Sequence, residues 1–207
     1  MSKIKFFISE SWLLIVSSFF FGLLIAGANA AWKDKIDYNL NVYKYNKVAK
    51  AVLPEAANFE PVLEDVKVKS STGKELKTSV KKAVDSNGKA IGWAFICQGK
   101  GFADNVQLLL TVDMAFEKIL GYGVLASTET VGYGDKIKTP YYKDQFVGAP
   151  TSELQLSKTG DPTKIDSEII AISGATISSR AVVDMINTFI PQIKEQMREK
   201  GLIGNEQ

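Results

Sequence analysis

The sequence predicts an α+β domain with an antiparallel sheet and flanking helices, preceded by a single N-terminal transmembrane helix. Three observations predict it: a long uncharged run near the N-terminus, short apolar runs separated by turn signals through the middle, and a C-terminal segment whose apolar residues recur with helical spacing. The 207-residue chain is 45% hydrophobic and 23% charged, a globular balance that excludes low-complexity disorder.

The first element is the run from Ser11 to Trp32, which carries no charge and contains Leu13-Leu14-Ile15-Val16 and Phe19-Phe20-Phe21-Gly22-Leu23-Leu24-Ile25. As a helix it is roughly 33 Å long, enough to cross a hydrocarbon core of about 30 Å. Trp12 and Trp32 fall near its ends, where indole rings favour the lipid interface, and Lys3, Lys5, Lys33 and Lys35 flank it. A cleaved signal peptide is the competing reading, since Lys3 and Lys5 form a basic start and Ala28-Asn29-Ala30 a small-residue cleavage site. The apolar run exceeds a typical signal core and Glu10 interrupts its entry, so an uncleaved anchor in contact with membrane lipid is expected. Lys33, Lys35, Lys44, Lys47 and Lys50 outnumber the lysines before the span, a bias that by itself places the large domain in the cytoplasm; long domains often translocate regardless of it.

Residues 43–53 (YKYNKVAKAVL) read as a helix ending at Pro54, with Val48, Val52 and Leu53 on one face, leading the chain away from the bilayer. From Val66 to Leu125, apolar runs alternate with the turn signals Ser71-Thr72-Gly73, Asp85-Ser86-Asn87-Gly88 and Gly99-Lys100-Gly101. Asn87-Gly88 is the strongest hairpin signal, followed by a strand from Ala90 to Cys97; residues 106–112 and 119–125 read as two more. A strand over Ile165 to Ile172 then precedes a helix from Ile177, whose Val182, Met185, Ile186, Phe189, Ile190 and Ile193 share a broad face. Pro191 is expected to kink that helix or split off its last turns.

Composition excludes several kinds of chemistry. Lysine and arginine total 25 against 23 acids, net +2, and Arg180 and Arg198 are the only arginines; no cluster is shaped to track a nucleic-acid backbone, so no nucleic-acid partner is expected. With no histidine, the chain supplies no axial haem histidine, no His-rich metal site and no Ser-His-Asp triad. The single cysteine, Cys97, makes no internal disulfide and holds no iron–sulfur cluster or zinc alone; within Trp93-Ala94-Phe95-Ile96-Cys97 it reads as a small buried hydrophobe. Redox chemistry here needs an organic cofactor.

Two motifs remain. Thr130-Val131-Gly132-Tyr133-Gly134 spells a potassium-channel selectivity filter, but such a filter needs a spanning helix on each side, and here Lys136, Lys138, Lys143 and Asp144 follow with no second apolar run. The plainer reading is a tight turn that uses glycine's φ freedom. Ser173-Gly174-Ala175-Thr176-Ile177-Ser178-Ser179 lies at a strand-to-helix junction, where small residues let a phosphate approach the first helical N–H groups and the hydroxyls of residues 173, 176, 178 and 179 are placed to donate. The alternative is an ordinary N-cap by Ser173, Thr176 or Ser178.

The pair SGATISSRAVV and the upstream ETVGYGDKI resembles the FMN-binding domain of the G subunit of Rnf electron-transport complexes and the C subunit of sodium-pumping NADH:quinone reductase, over roughly residues 85–195. The resemblance implies FMN joined by a phosphoester to Thr176, installed by a flavin transferase from FAD, with a phosphate cradle of Ser173, Gly174, Ala175, Thr176 and Ile177. It further implies flavin-ring contacts from Glu129, Thr130, Gly132, Tyr133 and Gly134. The chain then divides into a tail (1–10), a transmembrane helix (11–32), a connecting helix and linker (33–65) and an FMN-binding domain (66–207). The implied role is an electron-carrying subunit of an ion-translocating ferredoxin:NAD oxidoreductase complex in the cytoplasmic membrane, its domain on the extracytoplasmic side, with no stand-alone activity and no catalytic acid, base or metal. Other members of the complex are its partners. The sequence departs from the family at Ser127, Val131 and Tyr133, which replace a histidine, a proline and a leucine, and at Ile170, which replaces the acidic residue of the transferase motif. Ile170 motivates the alternative, a cofactor-free structural subunit or extracytoplasmic binding module.

Overall fold

The computed structural model describes residues 2–37, 42–70 and 73–204. The chain forms two compact units that divide between Lys44 and Tyr45. Among its described residues the first holds the helix α1 (Ser2–Asp37), so the residues before the uncharged run continue it as helix. Its segment Glu10–Ile36 is long and apolar enough to cross a membrane. Ser17 and Ser18 donate their hydroxyls to the carbonyls of Leu14 and Ile15, which satisfies both hydroxyls within the helix.

The second unit takes in α2 (Lys44–Val52) from Tyr45 onward, followed by a five-stranded antiparallel meander: β1 (Asn58–Lys69), β2 (Glu75–Val84), β3 (Ala90–Lys100), β4 (Asn105–Val112) and β5 (Ile119–Ala126). The β2–β3 turn forms at Asn87-Gly88 as its chemistry dictates, with Asp85 Oδ1 accepting from the N–H groups of Asn87 and Lys89 at 2.8 and 2.9 Å. β1 starts at Asn58, upstream of Val66, where the alternation of strands and turns becomes legible. Ser71 and Thr72 of the first turn signal, and residues 38–41 after the anchor, lie outside the described residues.

The sheet is covered on both faces over its central part, which is why β3, β4 and β5 read as apolar runs. One face packs under the C-terminal helix, α4 (Thr176–Glu199): Val80, Phe95, Cys97, Leu108 and Leu110 meet Val182, Met185, Ile186, Phe189, Ile190 and Ile193. On the other, Tyr45, Ala49 and Leu53 pack with Ala83, Ala94 and Leu109. Neighbours on one strand, Leu108 and Leu109, thus serve opposite cores. The first helix after the anchor is therefore part of the domain, and its buried residues are Tyr45 and Ala49, with Val48 and Val52 packed against β5. The close approach needs Gly123, where a Cβ would stand 2.8 Å from Val52 Cγ2.

Two expectations are corrected. The strand expected over residues 165–172 is only β7 (Glu168–Ile170), paired in parallel with β6 (Gln155–Ser157) apart from the main sheet. Asp166 shortens it by accepting the Glu168 N–H at 2.7 Å, a local turn that competes with strand pairing. Pro191 does not split α4, which runs through to Glu199. Beyond it Ile193 and Met197 stay buried, Gln192 pairs with both the N–H and C=O of Lys69 (2.8 and 2.9 Å), and Gln196 donates to Lys67 O (2.8 Å). These amides pair with the open edge of β1 at Lys67 and Lys69 and fasten the post-proline turns.

Candidate functional site

Four segments converge on one cavity: the β3–β4 turn, the loop after β5, the small-residue turn after β7 and the first turn of α4. The loop is fixed from below. It passes through a 3-10 turn (Gly134–Lys138), a short helix, α3 (Pro140–Lys143), and a second 3-10 turn (Asp144–Phe146). Tyr122 on β5 donates its hydroxyl to Ile137 O (2.7 Å), Tyr142 donates to Ser179 O (2.9 Å), and both rings pack edge-on against Phe146. Burial pushes both phenols to higher pKa, so they serve as neutral donors.

Between Thr130 and Gly134 the chain makes a tight turn, with Tyr133 N–H bonded to Thr130 O at 3.2 Å and Gly132 at φ 82°. Gly174, at φ 79°, has the Tyr133 ring over it, Cδ1 lying 3.4 Å from where a Cβ would be. The two sequence motifs therefore touch through Tyr133 and Gly174. Together with Phe102 they enclose a cavity of about 480 Å³, lined by Phe102, Thr130, Tyr133, Gly134 and residues 174–178. That volume suits a cofactor-sized ligand.

The start of α4 has Ala175 at its N-cap and no side-chain cap, which corrects the expectation that Ser173, Thr176 or Ser178 caps it. The side chains are otherwise engaged: Ser179 Oγ donates to Ala175 O and accepts from Ile172 N–H, both at 3.0 Å, and Ser178 Oγ donates to Glu129 Oε2. The Ser178 and Ser179 hydroxyls are thus spent inside the protein. Thr176 is half-buried and lines the cavity, whereas Ser173 is exposed and lies outside its lining. The N–H groups of Thr176, Ile177 and Ser178 have no acceptor among the described residues, and the first helical turn holds no acidic residue. Three free donors at the positive end of a 24-residue helix, with a hydroxyl at the same place, fit the phosphate of FMN, while the aromatic and apolar walls fit a flavin ring.

Glu129 stands differently from a ring contact. It is buried, and its carboxylate faces inward: Oε1 accepts from the N–H groups of Phe102 (2.8 Å) and Ala103 (3.1 Å), and Oε2 from Ser178. Of the other anticipated ring contacts, Thr130, Tyr133 and Gly134 line the cavity and Gly132 does not. Phe102 is the residue that sequence reasoning missed. An aromatic side chain at a hairpin tip, between Gly101 and Ala103-Asp104, was the available signal. Arg180 is exposed on α4, as a solvated face requires.

Residues 101–190 match the FMN-binding domain family, a range that holds every wall of the cavity. The G subunit of an ion-translocating oxidoreductase complex from Methanosarcina acetivorans is 34% identical over 163 residues, covering 76% of this chain and 79% of that protein. This chain belongs to that G-subunit family. A second relative, the G subunit of the Na(+)-translocating ferredoxin:NAD(+) oxidoreductase complex of Acetobacterium woodii, is 34% identical over 157 residues, covering 73% and 74% of the two chains. Two solved structures share the fold: Shewanella oneidensis NqrC (TM-score 0.56, 22% identity, 71% of this chain and 73% of that one) and the C subunit of the Na(+)-translocating NADH-quinone reductase from Parabacteroides distasonis (TM-score 0.52, 19% identity, 79% and 83%). This G-type protein is accordingly an FMN-binding, electron-transfer component of an ion-translocating oxidoreductase complex.

Proposed function

We propose that this protein carries electrons within a ferredoxin:NAD oxidoreductase complex, anchored by α1, with its FMN joined to Thr176 by a phosphoester. The observation that supports the link is the placement of the Thr176 hydroxyl at an uncapped helix start, half-buried in the wall of the cavity. A flavin transferase using FAD forms the Thr176 Oγ1–phosphorus bond as the phosphoanhydride bond breaks; AMP leaves and the hydroxyl proton is lost. The N–H groups of Thr176, Ile177 and Ser178 then hold the phosphate oxygens, an interaction of about 0.3–1 kcal/mol at an exposed helix end and up to ~2 kcal/mol when partly buried. Tyr133 and Phe102 shield the ring from water, and Glu129 keeps their loops together. The flavin supplies one- and two-electron chemistry, which no side chain in a histidine-free, single-cysteine protein provides.

Covalent attachment retains the cofactor on the extracytoplasmic side, where free flavin is scarce, and family membership supports that side over the lysine count. Ile170 favours a second reading, a cofactor-free structural protein, because it puts a buried apolar side chain where the transferase motif is acidic. Peptide mapping separates the two. After co-expression with a flavin transferase, the tryptic peptide 165–180, which holds Thr176, is expected to carry the mass of FMN; the same peptide found only unmodified selects the second reading.

A further inference from the structure

Phe102 is 61% exposed at the tip of the β3–β4 hairpin, and a folded chain gains nothing from an aromatic ring left in water there. It is not alone: Tyr133 and Ile177 are 59% and 58% exposed, and all three line the same cavity. The turn that carries Phe102 is held closed from within. Gly101 N–H bonds to Asp104 O at 2.8 Å, and the buried Glu129 carboxylate takes the next two N–H groups, those of Phe102 and Ala103, on a single oxygen. Its other oxygen holds Ser178 on the first turn of α4. One carboxylate therefore ties the hairpin tip, the loop after β5 and the helix start into one frame.

We infer that Phe102 stacks on the isoalloxazine ring of the flavin and that Glu129 is the positioning residue that holds it there. The inference rests on the flavin reading given above. Phe102 and Tyr133 then supply two aromatic contacts from separate loops, with Glu129 fixing the distance of the Phe102 loop from the Thr176 attachment point. Ring stacking restricts the flavin and places it in a chiral field, so a flavin held by Phe102 has a strong circular dichroism signal in its visible absorption band, and a tethered but unheld flavin a weak one.

The test uses the full chain in detergent, co-expressed with a flavin transferase. Flavin fluorescence on a denaturing gel first reports loading. In Phe102→Ala the visible dichroism of the native protein per flavin loaded, normalised to band brightness, falls by at least half; Phe102→Trp restores it. Glu129→Ala lowers the dichroism similarly although Phe102 is intact. Hydrogen exchange of the wild-type protein tests the clip without any variant: the Phe102 and Ala103 amides exchange at least tenfold more slowly than unprotected amides. A dark wild-type band overturns the flavin reading and this inference with it. A bright band with dichroism unchanged in Phe102→Ala overturns the stacking alone, and unprotected Phe102 and Ala103 amides overturn the role of Glu129 even if its variant fails to fold.

Discussion

Gln145 offers the sharpest test of how the site is supported. Only 2% exposed, it accepts the Ile170 N–H on Oε1 at 2.7 Å and donates from Nε2 to Ile170 O at 3.2 Å, so one side chain completes the backbone pairing of the strand that leads into Ser173-Gly174-Ala175-Thr176. Gln145→Leu keeps the volume and removes both partners. Two backbone groups are then left unpaired away from water, at about 1–3 kcal/mol each, partly offset by the burial of an apolar side chain. A net loss of about 2–4 kcal/mol is expected, which for a chain of this length lowers the melting temperature by roughly 5–15 °C. Far-ultraviolet circular dichroism of the full chain in detergent measures it. Gln145→Glu adds a diagnostic: its carboxylate accepts from the Ile170 N–H but faces the Ile170 carbonyl, so folding favours the protonated acid and raises its pKa above the unfolded value of about 4.3. Its stability relative to wild type is then highest below that value and is lost as pH rises through the folded pKa. A leucine variant that melts within about 1 °C of wild type refutes the reasoning, since it means that water or a rearranged backbone satisfies Ile170.

Three further outcomes follow from the same structure. In Gly134→Ala the new Cβ meets Ser178 Oγ at 2.6 Å and Glu129 Cβ at 3.0 Å, so stability falls by about 1–3 kcal/mol, read in urea unfolding, and flavin loading falls with it. Burial raises the phenol pKa of Tyr45, Tyr122 and Tyr142, so their contribution to stability is complete below the unfolded value of about 10 and declines as pH rises above it; urea midpoints at pH 8 and pH 11 should differ in that sense. Cys97 is fully buried and its thiol pKa is raised by desolvation, so a disulfide reagent should leave the native protein unmodified and react stoichiometrically after denaturation.

The parts of this molecule legible in its sequence are those encoded locally. Asn87-Gly88 announces its hairpin because the turn needs its own residues and nothing else, and the face of α4 is written in its spacing. β1 is harder to read: it is an edge strand with Pro61 inside, register shifts on either side of Leu63, and Asp65 at φ 56°, so its alternation breaks twice within twelve residues. The run at 165–172 is β-branched enough to suggest a full strand, yet Asp166 turns the chain and the partner strand is only three residues long. At the site, the glycines and Thr176 are visible as motifs. The inward turn of Glu129 is not, because its partners lie 26, 27 and 49 residues away and only the tertiary fold brings them together. Pro191 misleads for a related reason, since local chemistry breaks a helix there and Gln192, Gln196 and the buried face hold it together.

The central claim is that Thr176 carries the flavin, and a denaturing gel viewed under ultraviolet light tests it most directly. Wild type and Thr176→Val are each co-expressed with a flavin transferase; denaturation strips any non-covalent flavin and removes any quenching by aromatic rings near the flavin. A phosphoester at Thr176 gives a fluorescent wild-type band and a dark variant band of equal protein stain. A dark wild-type band, or a variant as bright as wild type, contradicts it.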